Sequence, residues 1–385
     1  MRFASFFALI PLALVAVPFA TAGIKQEPSP ALPDGIYAEF DTPHGMIVAR
    51  LLTREAPLTT ANFVGLAEGT LGPRKGRPYY SGLVWYRVVP GFVIQSGNPH
   101  HPSDGNAGYT FPDEFSPGLR HDRAGILSMA NGGPDTNSAE FFITLGEQNR
   151  LNYLYSVFGR VVRGVELLPA IKQGEAFSIR ILRIGAAART FQADEPAFRD
   201  LVEKTVAHRG KPASGSSAHF DDPAGLLPSP PLKAEAFNAK LNNFECATGV
   251  RIVARLFAKS PAAEEDAVAG AYMRKLAEES GTIRRGALVA YFADQEDWRV
   301  WIGDESTGAF FGRKTTAADL QEGGAFHDTK EAFLNAVKAG GRERFAAQLR
   351  SAPAGAPAGA AEKLKLETDA MLDGLIFRLE PKDSH

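Results

Sequence analysis

The stretch Gly82–Gly97, GLVWYRVVPGFVIQSG, decides the fold of the first half of this chain. Aromatic and β-branched residues fill its first run, and side chains of alternating character follow the dipeptide Pro90-Gly91. This pattern predicts two short strands that meet at a turn. Two polar residues, Arg87 and Gln95, interrupt the apolar runs. Since a buried guanidinium or amide is costly without a partner, each is either paired internally or lines a wet groove. For Arg87, a structural ion pair and a functional role both remain open.

The composition indicates a globular protein with two domains. The chain has 385 residues, whereas single hydrophobic cores rarely grow beyond about 250–300 residues. Hydrophobic residues make up 44% and charged residues 22% of the chain, as in most globular proteins. The formal net charge of −2 gives no indication of a nucleic-acid or anionic-membrane partner. The single cysteine, Cys246, excludes an internal disulfide.

The N-terminus has the pattern of a secretory signal peptide over residues 1–22. Arg2 is followed by an apolar run, Phe6–Phe19, and by the small-x-small sequence Ala20-Thr21-Ala22. Residues 23–33 then read as a flexible leader. We expect cleavage and an exported protein, periplasmic or secreted. We expect no stable membrane span after removal of the signal, because no apolar run reaches the roughly 20 residues that a span needs. An uncleaved anchor is the alternative.

Residues 34–187 are patterned as many short strands with few helices. A hairpin is predicted where two alternating runs flank Thr42–Gly45, and a short helix is predicted from Pro57 to the stop signal Gly69. Further strands are predicted in the opening stretch and at 126–130, 141–145, 155–162 and 179–184. This arrangement is typical of a mostly antiparallel, closed β architecture.

The rest of the chain has a different pattern. Residues 188–231 predict a helix followed by a Pro/Gly/Ser-rich linker. Residues 232–350 predict a smaller α/β domain. Residues 351–385 predict a low-complexity tether and a C-terminal amphipathic helix that could dock on either domain.

Several ordered motifs resemble those of the cyclophilins, a family of peptidyl-prolyl cis/trans isomerases. The resemblance covers about residues 34–187, and because the motifs occur in the same order and at matching separations it is more specific than any single short pattern. It implies a closed eight-stranded antiparallel barrel capped by two helices. The matching segments are Ala61-Asn62-Phe63, Tyr86–Phe92 with Gln95, Gly125–Asn131 with Gly133-Pro134, Phe141-Phe142-Ile143 and Val157-Phe158-Gly159.

The resemblance also implies roles for single residues. Arg87 is implied as the catalytic arginine, Gln95 as the hydrogen-bond partner of the substrate carbonyl, and the backbone of Asn131 as the edge that pairs with the peptide. Proline-containing polypeptides are the implied partners, with no cofactor and no metal. The implied substrate-binding residues are a proline-ring pocket (Phe92, Val93, Phe142 and Leu151), a groove for preceding residues (Gly105, Ala130 and Gly132), and the neighbouring Tyr86, Glu140 and Tyr155.

The implied chemistry needs only differential binding. Rotation about an X-Pro bond faces a barrier of about 18–20 kcal/mol because the amide is conjugated. In the twisted state the prolyl nitrogen becomes a hydrogen-bond acceptor, and a fixed guanidinium binds that state better than either planar state. The alternative is a non-catalytic proline-peptide-binding or chaperone module with an interaction domain.

Some positions depart from the family pattern. Tyr86 stands where histidine is common, Glu140 where glutamine is common, and Arg150 where tryptophan is often found. Leu154 and Tyr155 replace a Lys-His pair. These departures put cyclosporin binding in doubt and bear on substrate preference. Glu140 is also a candidate ion-pair partner for Arg87, a hypothesis that fails if Glu140→Gln leaves isomerisation unchanged.

The second domain carries a weaker resemblance to TPM-type domains. It rests on Phe244-Glu245, Thr248-Gly249 and Ile252-Val253, followed by the runs Gly286-Ala287-Leu288 and Trp301-Ile302-Gly303. Short apolar motifs of this kind also occur in other small βαββ modules, so both assignments stay open. The carboxylates near the strand ends, such as Asp294 and Asp304, are better explained by turns and solvated edges than by a metal site.

Overall fold

The structure, a computed structural model, describes residues 31–73, 76–98, 107–206, 212–228, 232–321, 324–351 and 359–382. The predicted signal peptide, most of the predicted leader and the predicted groove residue Gly105 lie outside these ranges. Residues Asp34–His385 group into one compact unit.

An eight-stranded antiparallel sheet organises the first part of this unit. In the sheet the strands follow the order β3-β4-β6-β5-β7-β2-β1-β8. The predicted hairpin is confirmed, because Thr42 pairs with Gly45, and the opening stretch forms the second hairpin, across Pro90-Gly91. The strands are β1 (Gly35–Thr42), β2 (Gly45–Leu51), β3 (Arg87–Val89), β4 (Val93–Ser96), β5 (Ile126–Met129), β6 (Phe141–Thr144), β7 (Val157–Arg163) and β8 (Ser178–Ile184).

The expectation of a closed barrel is wrong. Within the described residues, no ladder joins the edge strands β3 and β8, so the sheet is an open half-barrel. The two edges meet only through the segments that precede them. Val84 and Ala176 form an isolated bridge, and the Gly174 amide donates to the Trp85 carbonyl at 2.8 Å. A single bridge brings the edges together but does not extend into β3, which turns away to pair with β4.

Aromatic packing fills the interior of the sheet. Phe63 lies on the predicted helix α1 (Pro57–Glu68), which begins with proline and ends at Gly69 in the left-handed conformation, φ 77°. Its ring packs edge-on against Phe141 with centroids 5.3 Å apart. Trp85, from the opening stretch, is fully buried and stacks on Phe177 at 4.3 Å. The opening stretch therefore contributes both a sheet edge and a core residue.

Helices α2 (Ala186–Thr190) and α3 (Glu195–Val206) lead from the sheet into the second part of the unit. A four-stranded sheet follows, in the order β12-β11-β10-β9. Strand β9 (Phe220–Asp221) lies within the predicted linker and adds parallel to β10 (Ile252–Phe257). Strands β10 and β11 (Ala287–Phe292) are parallel, and β12 (Asp297–Ile302) is antiparallel to β11. Helix α4 (Leu232–Thr248) precedes β10, and α5 (Ala271–Glu279) connects β10 to β11. This is the α/β pattern that the sequence predicts.

Three helices complete the part of the chain that the structure describes. After α6 (Thr307–Phe311), the long helix α7 (Ala325–Ser351) packs on α8 (Ala360–Leu379), which is the predicted C-terminal helix. Helix α8 also contacts the 3₁₀ turn at Asn149–Leu151, so it docks on both parts of the unit. None of the helices in the described ranges has the length and apolarity needed to cross a membrane.

Candidate active site

The β3–β4 ladder brings the two polar residues of the opening stretch together. Arg87 and Gln95 are cross-strand partners. The Arg87 Nη1 donates to Gln95 Oε1 at 3.0 Å. The guanidinium carbon also lies 5.6 Å from the centre of the Phe92 ring. Arg87 is exposed, so its guanidinium faces solvent with one side oriented by an amide oxygen.

A hydrogen-bond network behind Gln95 centres on the Glu140 carboxylate. Tyr86 Oη donates to Glu140 Oε2 at 2.9 Å, and Gln95 Nε2 donates to the same oxygen at 3.2 Å. Asn98 Nδ2 donates to Glu140 Oε1 at 3.1 Å. Gln95 Nε2 also donates to the Tyr86 hydroxyl. Burial, and then the Glu140 charge and hydrogen bond, raise the pKa of Tyr86, so the phenol stays protonated and donates.

The expected direct ion pair between Arg87 and Glu140 is replaced by an indirect contact. Among the described residues, no ion pair joins these two side chains. The Gln95 amide stands between them, because its oxygen accepts from the guanidinium and its nitrogen donates to the carboxylate. Gly97 makes this geometry possible, since a Cβ there would lie 2.3 Å from the Ala139 carbonyl oxygen. Glu140 thus orients Gln95, which in turn orients Arg87.

Six of the predicted substrate-binding residues form one apolar cluster beside Arg87. Val93, Phe142 and Leu151 are its buried members, and Phe92, Ala130 and Tyr155 are half-buried around them. The Tyr155 ring packs edge-on against Phe142 with centroids 5.6 Å apart. We call Phe92, Val93 and Phe142 the sheet wall, because they lie on or beside β4 and β6. We call residues 149–155 the loop wall.

The groove segment at Asn131 is held by a residue that sequence reasoning missed. The buried Asp113 accepts from Asn131 Nδ2 at 3.1 Å and from Asn137 Nδ2 at 2.7 Å, and its other oxygen accepts from the Asp135 amide at 3.0 Å. The Asn131 side chain is therefore engaged within the protein, and its backbone is presented next to the exposed Gly132. Asp113 lies in a polar loop without periodicity, so no signal in the sequence marks it.

The loop wall is held by the second part of the chain. Tyr153 has a positive φ of 59°, an uncommon conformation for a bulky residue. Its ring belongs to the hydrophobic core of the α/β part and packs edge-on on Phe244 at 5.1 Å. Its carbonyl accepts from Asn243 Nδ2 at 2.9 Å, and its hydroxyl donates to Glu380. Glu380 also pairs with Arg120. Helices α4 and α8 thus fix the loop on which Leu151 and Tyr155 lie.

Arg150 adds a second guanidinium at the edge of the cluster. It is exposed, and its guanidinium carbon lies 4.5 Å from the centre of the Phe92 ring. Phe92 therefore contacts two cations, Arg87 and Arg150. Both arginines also act on Tyr155, opposing the rise in its pKa that burial causes. The substitution of the family's tryptophan thus makes this edge cationic.

Comparison with known proteins shows the family of the first part of the chain. Residues 37–186 match the family described as cyclophilin type peptidyl-prolyl cis-trans isomerase/CLD. The chain is 44% identical over 134 residues to peptidyl-prolyl cis-trans isomerase A of Mycobacterium tuberculosis (strain ATCC 25618 / H37Rv), which covers 32% of this chain and 72% of the relative. It is 39% identical over 132 residues to peptidyl-prolyl cis-trans isomerase-like 1 of Aspergillus fumigatus, covering 34% of this chain and 77% of the relative.

The chain belongs to the cyclophilin family, and its first part is a cyclophilin-type peptidyl-prolyl cis-trans isomerase. Among solved structures, a cyclophilin-type isomerase of Cryptosporidium parvum is 30% identical, covers 39% of this chain and 98% of its own, and gives a TM-score of 0.34. The match to the family ends at residue 186. Helices α4 and α8, which hold the loop wall, lie beyond it. The TPM-type assignment of this later part stays a prediction.

Proposed function

We propose that this isomerase acts on X-Pro bonds of exported proteins and that Arg87 stabilises the twisted amide. The observation that supports this most strongly is the position of Arg87. Its guanidinium is exposed, lies beside the apolar cluster, and is oriented by Gln95 Oε1 at 3.0 Å. An arginine is always charged and presents a planar fork of donors, which suits a nitrogen that becomes an acceptor only when the amide twists.

The apolar cluster is proposed to bind the proline ring. The sheet wall and the loop wall together offer aromatic and aliphatic contacts, and Phe92 on the sheet wall contacts the Arg87 guanidinium. Gln95 is proposed to contact the substrate carbonyl, and the Asn131 backbone to pair with the peptide as an added strand. Four further residues are proposed to support these contacts: Tyr86, Ala130, Gly132 and Glu140.

The proposed catalysis can be put in numbers. Each 1.4 kcal/mol or so of preference for the twisted state gives about tenfold in rate. A hydrogen bond from a charged donor contributes about 1.5–3 kcal/mol. The Arg87 contact would therefore supply roughly a tenfold to hundredfold acceleration, and the rest would come from binding the twisted conformation in the apolar cluster.

The test is the isomerase rate of Arg87 variants, measured by NMR exchange on a short Ala-Pro peptide. We expect Arg87→Ala to lower kcat/KM about a hundredfold and Arg87→Lys to recover only part of the loss, because lysine lacks the fork. Arg160→Ala, an exposed arginine on β7, should match wild type. Wild-type activity in Arg87→Ala would overturn the role of Arg87. Peptide binding without acceleration by the wild type would favour a binding module.

The exported setting is proposed from the signal-like residues 1–22 alone. It implies that the clients are other exported proteins, for which the isomerase would assist folding as a chaperone does. Expression of the full chain in a Gram-negative host, followed by fractionation and N-terminal sequencing, tests it. We expect a periplasmic or secreted protein that begins at Gly23. Recovery of the intact N-terminus in the cytosol would contradict the proposal.

A further inference from the structure

A cavity adjoins the candidate active site, and the family resemblance implies no role for helix α4, which forms one side of it. It has a volume of about 630 Å³ and lies between the segment Asn131–Pro134, the loop-wall residues Leu154 and Tyr155, and helix α4. This volume is within the range of ligand sites in proteins, about 300–1,000 Å³. One side of the cavity belongs to the isomerase domain and the other to the part of the chain beyond the family match.

The cavity is continuous with the apolar cluster. Tyr155 belongs to both, because its ring packs on Phe142 in the cluster and also lines the cavity. The ladder of β5 continues only to Ala130, whose amide donates to the Glu140 carbonyl at 2.9 Å. Asn131 and Gly132 come next and line the cavity. A polypeptide that pairs with this edge would run directly into the space under α4.

The lining also indicates which side chain the cavity would select. Asn238 and Asn243 are already engaged, since their Nδ2 atoms donate to the carbonyls of Ala213 and Tyr153 at 2.9 Å each. Asp113 is buried and receives the side chains of Asn131 and Asn137. Within this first cavity the carboxylate that faces solvent is Glu235, near the start of α4. The small side chains of Ala236 and Ala239 leave room beside it.

The space continues past this point along α4. A neighbouring cavity of about 390 Å³ shares Pro134, Pro212 and Asn243 with the first and ends near Cys246. Cys246 is exposed and is the only cysteine of the chain. The two cavities form one groove between the isomerase domain and α4, which we call the α4 groove.

We propose that the α4 groove binds the extended client polypeptide on one side of the isomerised proline, and that Glu235 selects a basic side chain there. The inference rests on the proposed function, since the groove begins at the edge where the substrate is proposed to pair. It gives the chain beyond the family match a direct role in client binding. Long clients thereby gain contacts that a tetrapeptide cannot reach.

Two sets of peptides test this on the full-length protein. The first set is an Ala-Pro tetrapeptide. The second is a series of 12-residue peptides with the same Ala-Pro centre. Each of these carries one lysine or one glutamate, placed in turn at each of four positions on either side of the proline. We expect lysine at a position on one side to raise kcat/KM about tenfold over glutamate. Glu235→Gln should reduce that ratio to about twofold and Glu235→Lys should invert it. Glu279→Gln, on α5, is the matched control.

The same experiment separates this inference from the proposed function. If the tetrapeptide is isomerised but no lysine position gives an advantage that depends on Glu235, the α4 groove proposal is overturned and the isomerase stands. If no peptide is isomerised, the proposed function itself fails. Ala236→Trp should fill the groove and weaken the 12-residue peptides alone. Equal weakening of the tetrapeptide would contradict the proposal.

The thiol of Cys246 gives a readout that does not depend on activity. We expect the 12-residue lysine peptide to slow its modification by a thiol reagent several-fold, and the tetrapeptide to leave the rate unchanged. Glu235→Lys should abolish the protection. An unchanged rate with saturating long peptide would show that the client does not enter the α4 groove.

Discussion

The two walls of the apolar cluster are built in different ways. The sheet wall is fixed by neighbouring strands, since β4 pairs with β6 over its full length and with β3 from Val93 to Gln95. The loop wall has no strand, and its central residue Tyr153 is held by Asn243 and Glu380, which lie 90 and 227 residues further along the chain. One wall therefore depends on the cyclophilin sheet, and the other on a part of the chain that the family match does not include.

Because of this difference, the α/β part supports one wall of the candidate active site. Regions with few bonds of their own open at lower free energy than the strands of a sheet. We therefore expect the loop wall to keep the geometry of the site only while α4 and α8 are docked against it. We expect changes in the sheet wall to affect the chemical step, and changes in the support of the loop wall to affect substrate binding.

The largest expected effect concerns His121, which contacts both walls. Its ring stacks on Phe142 with centroids 5.7 Å apart, and Nδ1 lies 3.0 Å from Asn152 Oδ1. Burial lowers the pKa of His121 from 6.5 to about 4; Asn152 and Asp122 oppose this, and Lys240 adds to it. Because the unfolded chain binds the proton more readily than the folded one, a neutral His121 contributes to the free energy of unfolding. This contribution is complete above pH 6.5. It is lost progressively as the pH falls from 6.5 through 4, and the loss amounts to about 3 kcal/mol.

Urea unfolding at a series of pH values from 7.5 to 3.5 measures this effect. We expect the stability of His121→Gln to fall less steeply with acid than that of the wild type. His327→Gln, which replaces an exposed histidine on α7, serves as the control. If the free energy of unfolding fell equally steeply with acid in His121→Gln and in wild type, the proposed contribution of His121 would be contradicted.

The next effect tests the sheet wall. Gln95→Leu keeps the approximate size of the side chain but removes both of its hydrogen-bonding atoms. We expect kcat/KM to fall about 30-fold, equivalent to about 2 kcal/mol, mainly through kcat because Arg87 loses its orienting oxygen. Gln192→Leu, at an exposed position, serves as the control. If Gln95→Leu kept the wild-type kcat, the orientation of Arg87 by Gln95 would have no catalytic weight.

A smaller effect tests the loop wall. Tyr153→Phe keeps the ring in the α/β core and removes only the hydroxyl that donates to Glu380. We expect KM for a tetrapeptide to rise about fivefold at unchanged kcat, equivalent to about 1 kcal/mol. Tyr291→Phe changes a buried tyrosine on β11 and should leave KM unchanged. A loss of kcat instead of a rise in KM would remove the distinction between the two walls.

The smallest effect concerns the cationic edge of the loop wall. An exposed cation–π contact contributes about 0.5–1 kcal/mol, so Arg150→Trp should change overall activity only about two- to fivefold. The preference for the charge of the substrate residue after the proline should change more visibly. We expect wild type to isomerise a peptide with glutamate after the proline faster than one with lysine, and the variant to lose this difference. If the ratio of the rates on the glutamate and lysine peptides were the same in Arg150→Trp as in wild type, Arg150 would not act on specificity.

The sequence by itself determined the sheet wall and the class of protein. The turn Pro90-Gly91 and the period-2 pattern on either side set the register that makes Arg87 and Gln95 cross-strand partners. Six of the predicted contact residues accordingly meet in one cluster. The C-terminal helix was predictable for the same reason, because the period of its apolar residues is visible within a few turns.

Only the tertiary structure decided the remaining features. Three features depend on how distant segments meet in space. The sheet stays open between β3 and β8, Glu140 reaches Arg87 through Gln95, and Asp113 holds Asn131. The loop wall is the clearest case, because a tyrosine in a left-handed conformation is stabilised by partners 90 and 227 residues away. Periodicity reports which face of a strand or helix is buried. It carries no information about which distant side chain completes a hydrogen bond, and the support of this site consists of such bonds.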